Sequence, residues 1–365
     1  MVNMEKQKLY ICYSINDFYA REAGISLIGF FENNPDYEPE EVFFLDYGVH
    51  PLNKERLGGI ATRYGKRVTW LNAKAVTDSV RREFSNLKGW KGSMAPNAKA
   101  FVDQIFPDYV ERLLFIDADT VVAGSVAELQ RLDMGGAALG VVISNGLSDD
   151  VKSGRVELYS GNQIYFNSGV LLYDLTVWRR ENCHQMIVDT LHKKKRLKWP
   201  DQTLLNNAIP QRLLKVLPLK YNYFSHAYHP RQERGWMRLG HFYSDEVIEE
   251  SIQHPVIIHY LGGWPSGRPW CEKSYSSRAE DYFRYKALSP WKDTPLFPPL
   301  TIERASMDFM QRWNLWQLRQ MQVLPSFLLS WALAIVYGQV NRVVSRFHKG
   351  PDEPSEGKEP IDLKS

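Results

Sequence analysis

Two carboxylates one residue apart, Asp117 and Asp119, directly follow the wholly apolar run Leu113-Leu114-Phe115-Ile116. Such a run has the character of a central parallel strand covered on both faces, and open α/β sheets place their ligands beyond the carboxyl ends of such strands. Side chains two apart on extended backbone point to the same side. Two hard oxygen donors could then share one divalent ion able to bridge the phosphates of a nucleotide diphosphate and stabilise charge on a departing group. A lone Asp-x-Asp is more often a pair of turn acids capping the next segment; the buried strand before this one sets it apart.

Three further groups could work beside that pair. His259 ends the apolar run Val256-Ile257-Ile258 and precedes Tyr260-Leu261-Gly262-Gly263, with Arg268-Pro269-Trp270 beyond. An isolated histidine at a strand end is usually a hydrogen-bonded core residue. Here the glycines, Gly262 first, would let backbone approach a phosphate closely, and Arg268 would offset leaving-group charge. An imidazole beside two carboxylates suits Mn²⁺ better than Mg²⁺, which stays the alternative. Asn167, in Tyr165-Phe166-Asn167-Ser168-Gly169, could hold sugar hydroxyls through an amide that both donates and accepts, or be a turn residue ahead of a strand. Asp201 and Gln202, in Pro200-Asp201-Gln202-Thr203, open a helix, and Asp201 could be no more than its N-cap. Close to an anomeric carbon, Asp201 would stabilise oxocarbenium-like charge and Gln202 could act from the opposite face.

Other chemistries lack their signatures. The chain has no Gly-x-Gly-x-x-Gly, Walker phosphate loop, Gly-x-Ser-x-Gly or His-Glu-x-x-His, which removes the main support for dehydrogenase, ATPase, serine hydrolase and zinc protease readings. A net charge of +3 set against 45 basic and 42 acidic side chains implies no nucleic-acid surface. Cys12, Cys183 and Cys271 are odd in number and far apart, arguing against a disulfide framework or zinc site and for a reducing compartment. Charged residues run straight into the strand-like Leu9-Tyr10-Ile11-Cys12-Tyr13, with no signal-peptide core between.

The elements that must position these groups alternate. Strand-like runs at Leu9 to Tyr13, Glu41 to Leu45 and Arg67 to Trp70 are separated by amphipathic stretches at Ala20 to Asn33 and Asn53 to Tyr64. That alternation predicts βαβ units and a Rossmann-like, mostly parallel central sheet with flanking helices. Further strands are expected at Leu139 to Ile143, Val170 to Leu175 and Val256 to His259. Ala23, Leu27 and Phe30 share one face of the first helix, which Asn33-Asn34-Pro35 should end.

Several stretches together resemble the family 8 retaining glycosyltransferases, such as bacterial lipopolysaccharide galactosyl- and glucosyltransferases and, more distantly, the glycogenins. They are Tyr13 to Pro35, Asp46-Tyr47-Gly48, Arg112 to Leu129, Phe166 to Arg179, Asp201-Gln202 with Asn206, and His259 to Trp270. The resemblance implies a GT-A fold, a UDP-hexose donor carrying galactose or glucose, a cell-surface glycan or glycolipid acceptor in lipopolysaccharide or capsule synthesis, and transfer with retention. It also implies Mn²⁺ held by Asp117, Asp119 and His259, a basic donor contact at Lys99, and nucleotide contacts around Ser14, Asn16 and Tyr19. The sequence departs from the pattern where relatives often carry an acid after the strand following the Asp-x-Asp. Here Ser144 or Asn145 stands there, making Ser144 a candidate for substrate preference. Arginine, at Arg268, replaces the usual lysine, after a loop lengthened by Trp264-Pro265-Ser266 or neighbours. The rival of another class is a nucleotide-sugar-binding or membrane-adaptor protein with a decayed site, against which the intact acids, His259 and Asp201-Gln202 count.

The expected organisation is a catalytic domain over 1–287, a Pro-rich linker over 288–300, a basic and aromatic amphipathic region over 301–349 and a disordered tail over 350–365. The apolar run from Val323 to Val340 is broken by Pro325, Ser326, Ser330, Gly338 and Gln339 and flanked by Arg312, Trp313, Trp316, Arg319, Arg342, Arg346 and Lys349. That pattern favours a helix lying on an anionic surface over one spanning it, hence an enzyme peripheral on the cytoplasmic face of the plasma membrane. The competing reading is a helix packed on the catalytic domain.

Overall fold

The computed structural model describes residues 7–90, 92–154, 156–193, 197, 200–225, 237–261, 268–272, 274 and 276–298. Gly262, the loop Trp264-Pro265-Ser266, the region 301–349 and the tail 350–365 lie outside the described residues.

Strands β1 (Leu9–Ile15), β2 (Glu41–Asp46), β3 (Arg67–Leu71) and β4 (Arg112–Ile116) form at or within a few residues of the apolar runs that predict them. With β6 (Leu139–Ile143), β7 (Phe166–Asp174) and β8 (Leu214–Val216) they make a seven-stranded sheet ordered β3-β2-β1-β4-β7-β6-β8. β7 runs antiparallel to β4 and β6, and the remaining pairs are parallel. Period-two alternation divides these strands between two cores. Leu114, Ile116, Tyr13, Phe44 and Leu172 face one, and Leu113, Phe115, Cys12, Phe43 and Leu171 the other.

A second, three-stranded sheet, β5 (Thr120–Val122), β10 (Ile257–His259) and β9 (Tyr223–Phe224), stands beside the acidic turn. Runs of two or three residues show no readable period, so β5, β8 and β9 are not evident in the sequence. The helix Ala20–Asn33 lies under this small sheet. It is buried nearly all round rather than amphipathic, because Gly29 lets it close on β5, where a Cβ would fall 2.5 Å from the Val122 carbonyl oxygen.

The structure corrects the linker at its start. Trp291 is 4% exposed and joins the core, lying so close to Gly24 that a Cβ there would be 2.4 Å from its ring. Phe297 exchanges backbone hydrogen bonds with Trp270 and Glu272 and stacks on Phe18 at 5.2 Å. The prolines thus shape a strap laid on the domain as far as residue 298 instead of a free connector. Cys12 and Cys183 are buried free thiols. Among the described residues no helix is long and apolar enough to cross a membrane.

Candidate active site

Asp117 and Asp119 converge because the chain turns there, not because it stays extended. Residues 118 and 119 are a turn between β4 and β5, and three hydrogen bonds pin it. The Asp117 N–H donates to the Gly169 carbonyl at 2.8 Å, the Tyr260 N–H donates to the Asp119 carbonyl at 2.9 Å, and the Thr120 hydroxyl donates to the Asp117 carbonyl at 2.8 Å. One bond reaches β7 and one the residue after β10, so the turn is held where the two sheets meet.

His259 enters from β10 with Nε2 3.2 Å from Asp119 Oδ1. Its approach depends on Gly169, where a Cβ would sit 2.2 Å from the ring. One donor atom each from Asp117, Asp119 and His259 lie within 4.8 Å of one another, the one such trio of acidic, cysteine or histidine groups among the described residues. Two carboxylate oxygens and an imidazole nitrogen, with the carboxylate side chains 29% and 18% exposed and the imidazole 5%, fit a divalent ion of intermediate hardness entering from one open side.

Lys99, expected as a donor contact, is 1% exposed on the 3₁₀ helix Ala95–Phe101, and its Nζ bridges Asp117 Oδ1 at 2.7 Å and Asp201 Oδ2 at 3.0 Å. Burial alone would lower its pKa, but the two carboxylates outweigh it and hold the ammonium charged. Burial, opposed by Lys99 and reinforced by the Asp119 charge, pushes Asp117 up. Burial also penalises the Asp119 carboxylate, yet His259 and Arg268 prevail and hold it below the ordinary range. The pair therefore sits in unequal fields, with the more acidic member beside the imidazole.

Asp201 and Gln202 lie in the first turn of the helix Pro200–Ala208 and reach the same place. Asp201 Oδ2 also accepts from the Ser168 hydroxyl at 2.8 Å. Gln202 Oε1 accepts from Asn167 Nδ2 at 3.1 Å and the Ser168 N–H at 3.3 Å. Asn167 is presented by a bulge: β7 pairs with β6 through Leu171 and Val141, then through Asn167 and Val142, so residues 168–170 arch out of that ladder. Asn206 holds the arch from behind, accepting from the Phe166 N–H and donating to the Phe166 carbonyl, each at 2.9 Å.

The remaining candidates are placed as follows. Arg268 Nη2 is 3.3 Å from Asp119 Oδ2, and the Tyr19 hydroxyl lies near enough to feel the charges of both. Ser14 donates to the Ala95 carbonyl at 2.8 Å, tying the end of β1 to the segment carrying Lys99. Asn16 keeps a shielded Oδ1 without a hydrogen-bond partner among the described residues. Ser144 follows β6 with its N–H on the Tyr165 carbonyl and its hydroxyl not capping the helix Asn145–Lys152. Asn222, Ser168 and Asn206 belong to the site's framework although none is marked in the sequence as a site residue. Asn222 had no signal, whereas Ser168 stands in the stretch around Asn167 and Asn206 in the stretch with Asp201-Gln202.

A mixed sheet whose central strand ends in a turn of two acids, completed by a histidine from a second small sheet, is the architecture of a GT-A glycosyltransferase. It superposes on the crystal structure of galactosyltransferase LgtC in complex with donor and acceptor sugar analogues with a TM-score of 0.62 at 19% identity, covering 78% of this chain and 99% of that one. The sequence pattern of glycosyl transferase family 8 matches residues 10–274, and the chain belongs to that family and is a glycosyltransferase. It is 27% identical over 295 residues to a lipopolysaccharide 1,2-glucosyltransferase of Escherichia coli, covering 80% of this chain and 81% of the relative. It is 23% identical over 304 residues to a lipopolysaccharide 1,3-galactosyltransferase of Salmonella typhimurium, covering 81% and 83%.

Proposed function

We propose that this glycosyltransferase moves a hexose, glucose or galactose, from a UDP-sugar to a lipopolysaccharide or related cell-surface glycan or glycolipid, with retention of anomeric configuration and dependence on a divalent ion, Mn²⁺ before Mg²⁺. The observation that carries the reading is the joining of Asp117, Asp119 and His259 to Asp201 through the single buried ammonium of Lys99. When bound by the trio, the ion supplies charge compensation for the diphosphate leaving group. Arg268, beside Asp119, adds a second cation on that side. Asn16, with its shielded unpartnered oxygen, is suited to accept from a nucleotide N–H or hydroxyl near the end of β1; Ser14 and Tyr19 flank it. Asp201 and Gln202 are the groups assigned to the anomeric carbon, with Asn167 and Ser144 beside them for sugar hydroxyls. Lys99 serves in this reading as the counter-charge set between Asp117 and Asp201, in place of direct sugar contact. Gly262 is assigned to the phosphate loop on sequence grounds alone. The two lipopolysaccharide relatives support the acceptor class, and the basic, aromatic region 301–349 supports action at the inner face of the plasma membrane.

UDP release by the purified protein from a panel of UDP-sugars, with and without Mn²⁺, tests this directly. Release with one or two donors that requires the ion and falls by about 10²-fold or more in Asp119→Asn is expected, the size of effect seen when a stabiliser of developing charge is removed. Turnover undiminished by chelation would overturn the metal-dependent mechanism.

A further inference from the structure

Behind His259 runs a line of carboxamides whose polarity is fixed at its far end by backbone. The Gly169 N–H donates to Asn167 at 2.8 Å and the Ser168 N–H donates to Gln202 at 3.3 Å. A backbone N–H can only donate, so both contacted atoms are carbonyl oxygens. Asn167 Nδ2 then faces Gln202 Oε1 at 3.1 Å, a matched pair. The Asn222 atom 2.9 Å from Asn167 Oδ1 must in turn be its NH₂, which leaves Asn222 Oδ1 facing His259 Nδ1 at 3.0 Å. An oxygen there requires the ring proton on Nδ1. In the neutral imidazole, Nε2 is then the bare nitrogen, and Nε2 is the atom aimed at Asp119.

We infer that Asn222 is a positioning residue that sets the tautomer of His259 and so makes Nε2 a cation ligand. Its polarity is imposed by the Gly169 and Ser168 amides through Asn167. Asn222 is fully buried, as a group with one fixed donor and one fixed acceptor must be if it is not to rotate. The relay gives the metal side and the Asp201–Gln202 side of the site a shared support, since Asn167 bonds to both Asn222 and Gln202. This inference rests on the divalent-ion reading proposed above.

The test is Mn²⁺ affinity by EPR titration of full-length protein, for the unsubstituted chain, Asn222→Asp and Asn222→Leu. Removing a partner that orients a ligating histidine typically costs about 10- to 100-fold in metal affinity; Asn222→Leu should lose that much, while Asn222→Asp, which keeps an acceptor for Nδ1–H but sets a carboxylate oxygen against Asn167 Oδ1, should lose less. Folded Asn222→Leu that binds Mn²⁺ as well as the unsubstituted chain would overturn the positioning role. Unsubstituted protein that binds no Mn²⁺ would overturn the metal reading, and this inference with it. Should Asn222→Leu not fold, ¹⁵N-histidine NMR of unsubstituted protein carrying a diamagnetic divalent ion decides, His259 being assigned by its loss in His259→Gln. A proton on Nδ1 and none on Nε2 is required, and a proton on Nε2 refutes the proposal.

Discussion

The acidic turn and the Asp201–Gln202 pair bring the same kind of atom, a side-chain oxygen, to one place, but they are held there differently. The turn is fastened by main chain: β4 before it, β5 after it, and amide hydrogen bonds to Gly169 and from Tyr260. The pair sits in the first turn of a nine-residue helix and is fastened mostly by side chains, those of Lys99, Ser168 and Asn167, with one main-chain bond from the Ser168 N–H. A site tied by main chain tolerates loss of a side chain without moving, whereas one tied by side chains shifts when a brace is removed. Among the described residues Lys99 braces both, contacting Asp117 and Asp201 at once.

Lys99→Met should produce the largest effect. Removing one partner of a buried ion pair typically costs about 3–5 kcal/mol, and here it leaves Asp117 and Asp201 facing each other. Urea unfolding should register a loss of that order, and transfer should fall by about 10²-fold, the cost of misplacing a reacting group by about an ångström. Stability like that of the unsubstituted protein would mean the two regions do not depend on this ammonium. Gly169→Ala comes next. Its Cβ would overlap the His259 ring at 2.2 Å, and since the Gly169 carbonyl also holds the acidic turn, both anchors are disturbed at once. Mn²⁺ binding weaker by about 10- to 100-fold is expected, read by EPR titration, with the melting temperature falling less than in Lys99→Met. Smallest in its effect on catalysis is Trp291→Ala, distant in sequence from both regions. Loss of a buried Trp costs about 3–5 kcal/mol, so unfolding should come early while kcat of the folded enzyme is unchanged. Unaltered stability would favour the reading of 288–300 as a linker.

Much of the large sheet was legible because its information is local. Tyr10, Cys12, Phe43, Phe115 and their neighbours are apolar on both faces, as strands covered on both sides must be, and the Asp-x-Asp stands at the end of one of them. The small sheet was not legible, since β5 and β9 are too short to carry a period and are defined by pairing with β10. The helix Ala20–Asn33 misled in the opposite sense. Its apolar stripe is real, but Arg21 and Glu22 are buried as well, bonded to each other through Arg21 Nε and Nη2 on Glu22 Oε1, which no helical period announces.

At the site, residue type and chain position alone marked Asp117, Asp119, His259, Asn167, Asp201 and Gln202, because acids, amides and imidazoles at strand and helix ends are where a sheet exposes its chemistry. Which partners each one meets there depends on residues far off in the chain. Lys99 is a counter-ion because Asp201 lies within 3.0 Å of it, and Asn222, unremarkable between Tyr221 and Tyr223, matters because β9 sets it behind His259. Short-range pattern in the chain carries the longer strands of the large sheet, the family and the chemical groups. Which group faces which, and with what polarity, comes from the fold, because a hydrogen bond or an ion pair depends on ångström distances between residues that the chain keeps dozens of positions apart.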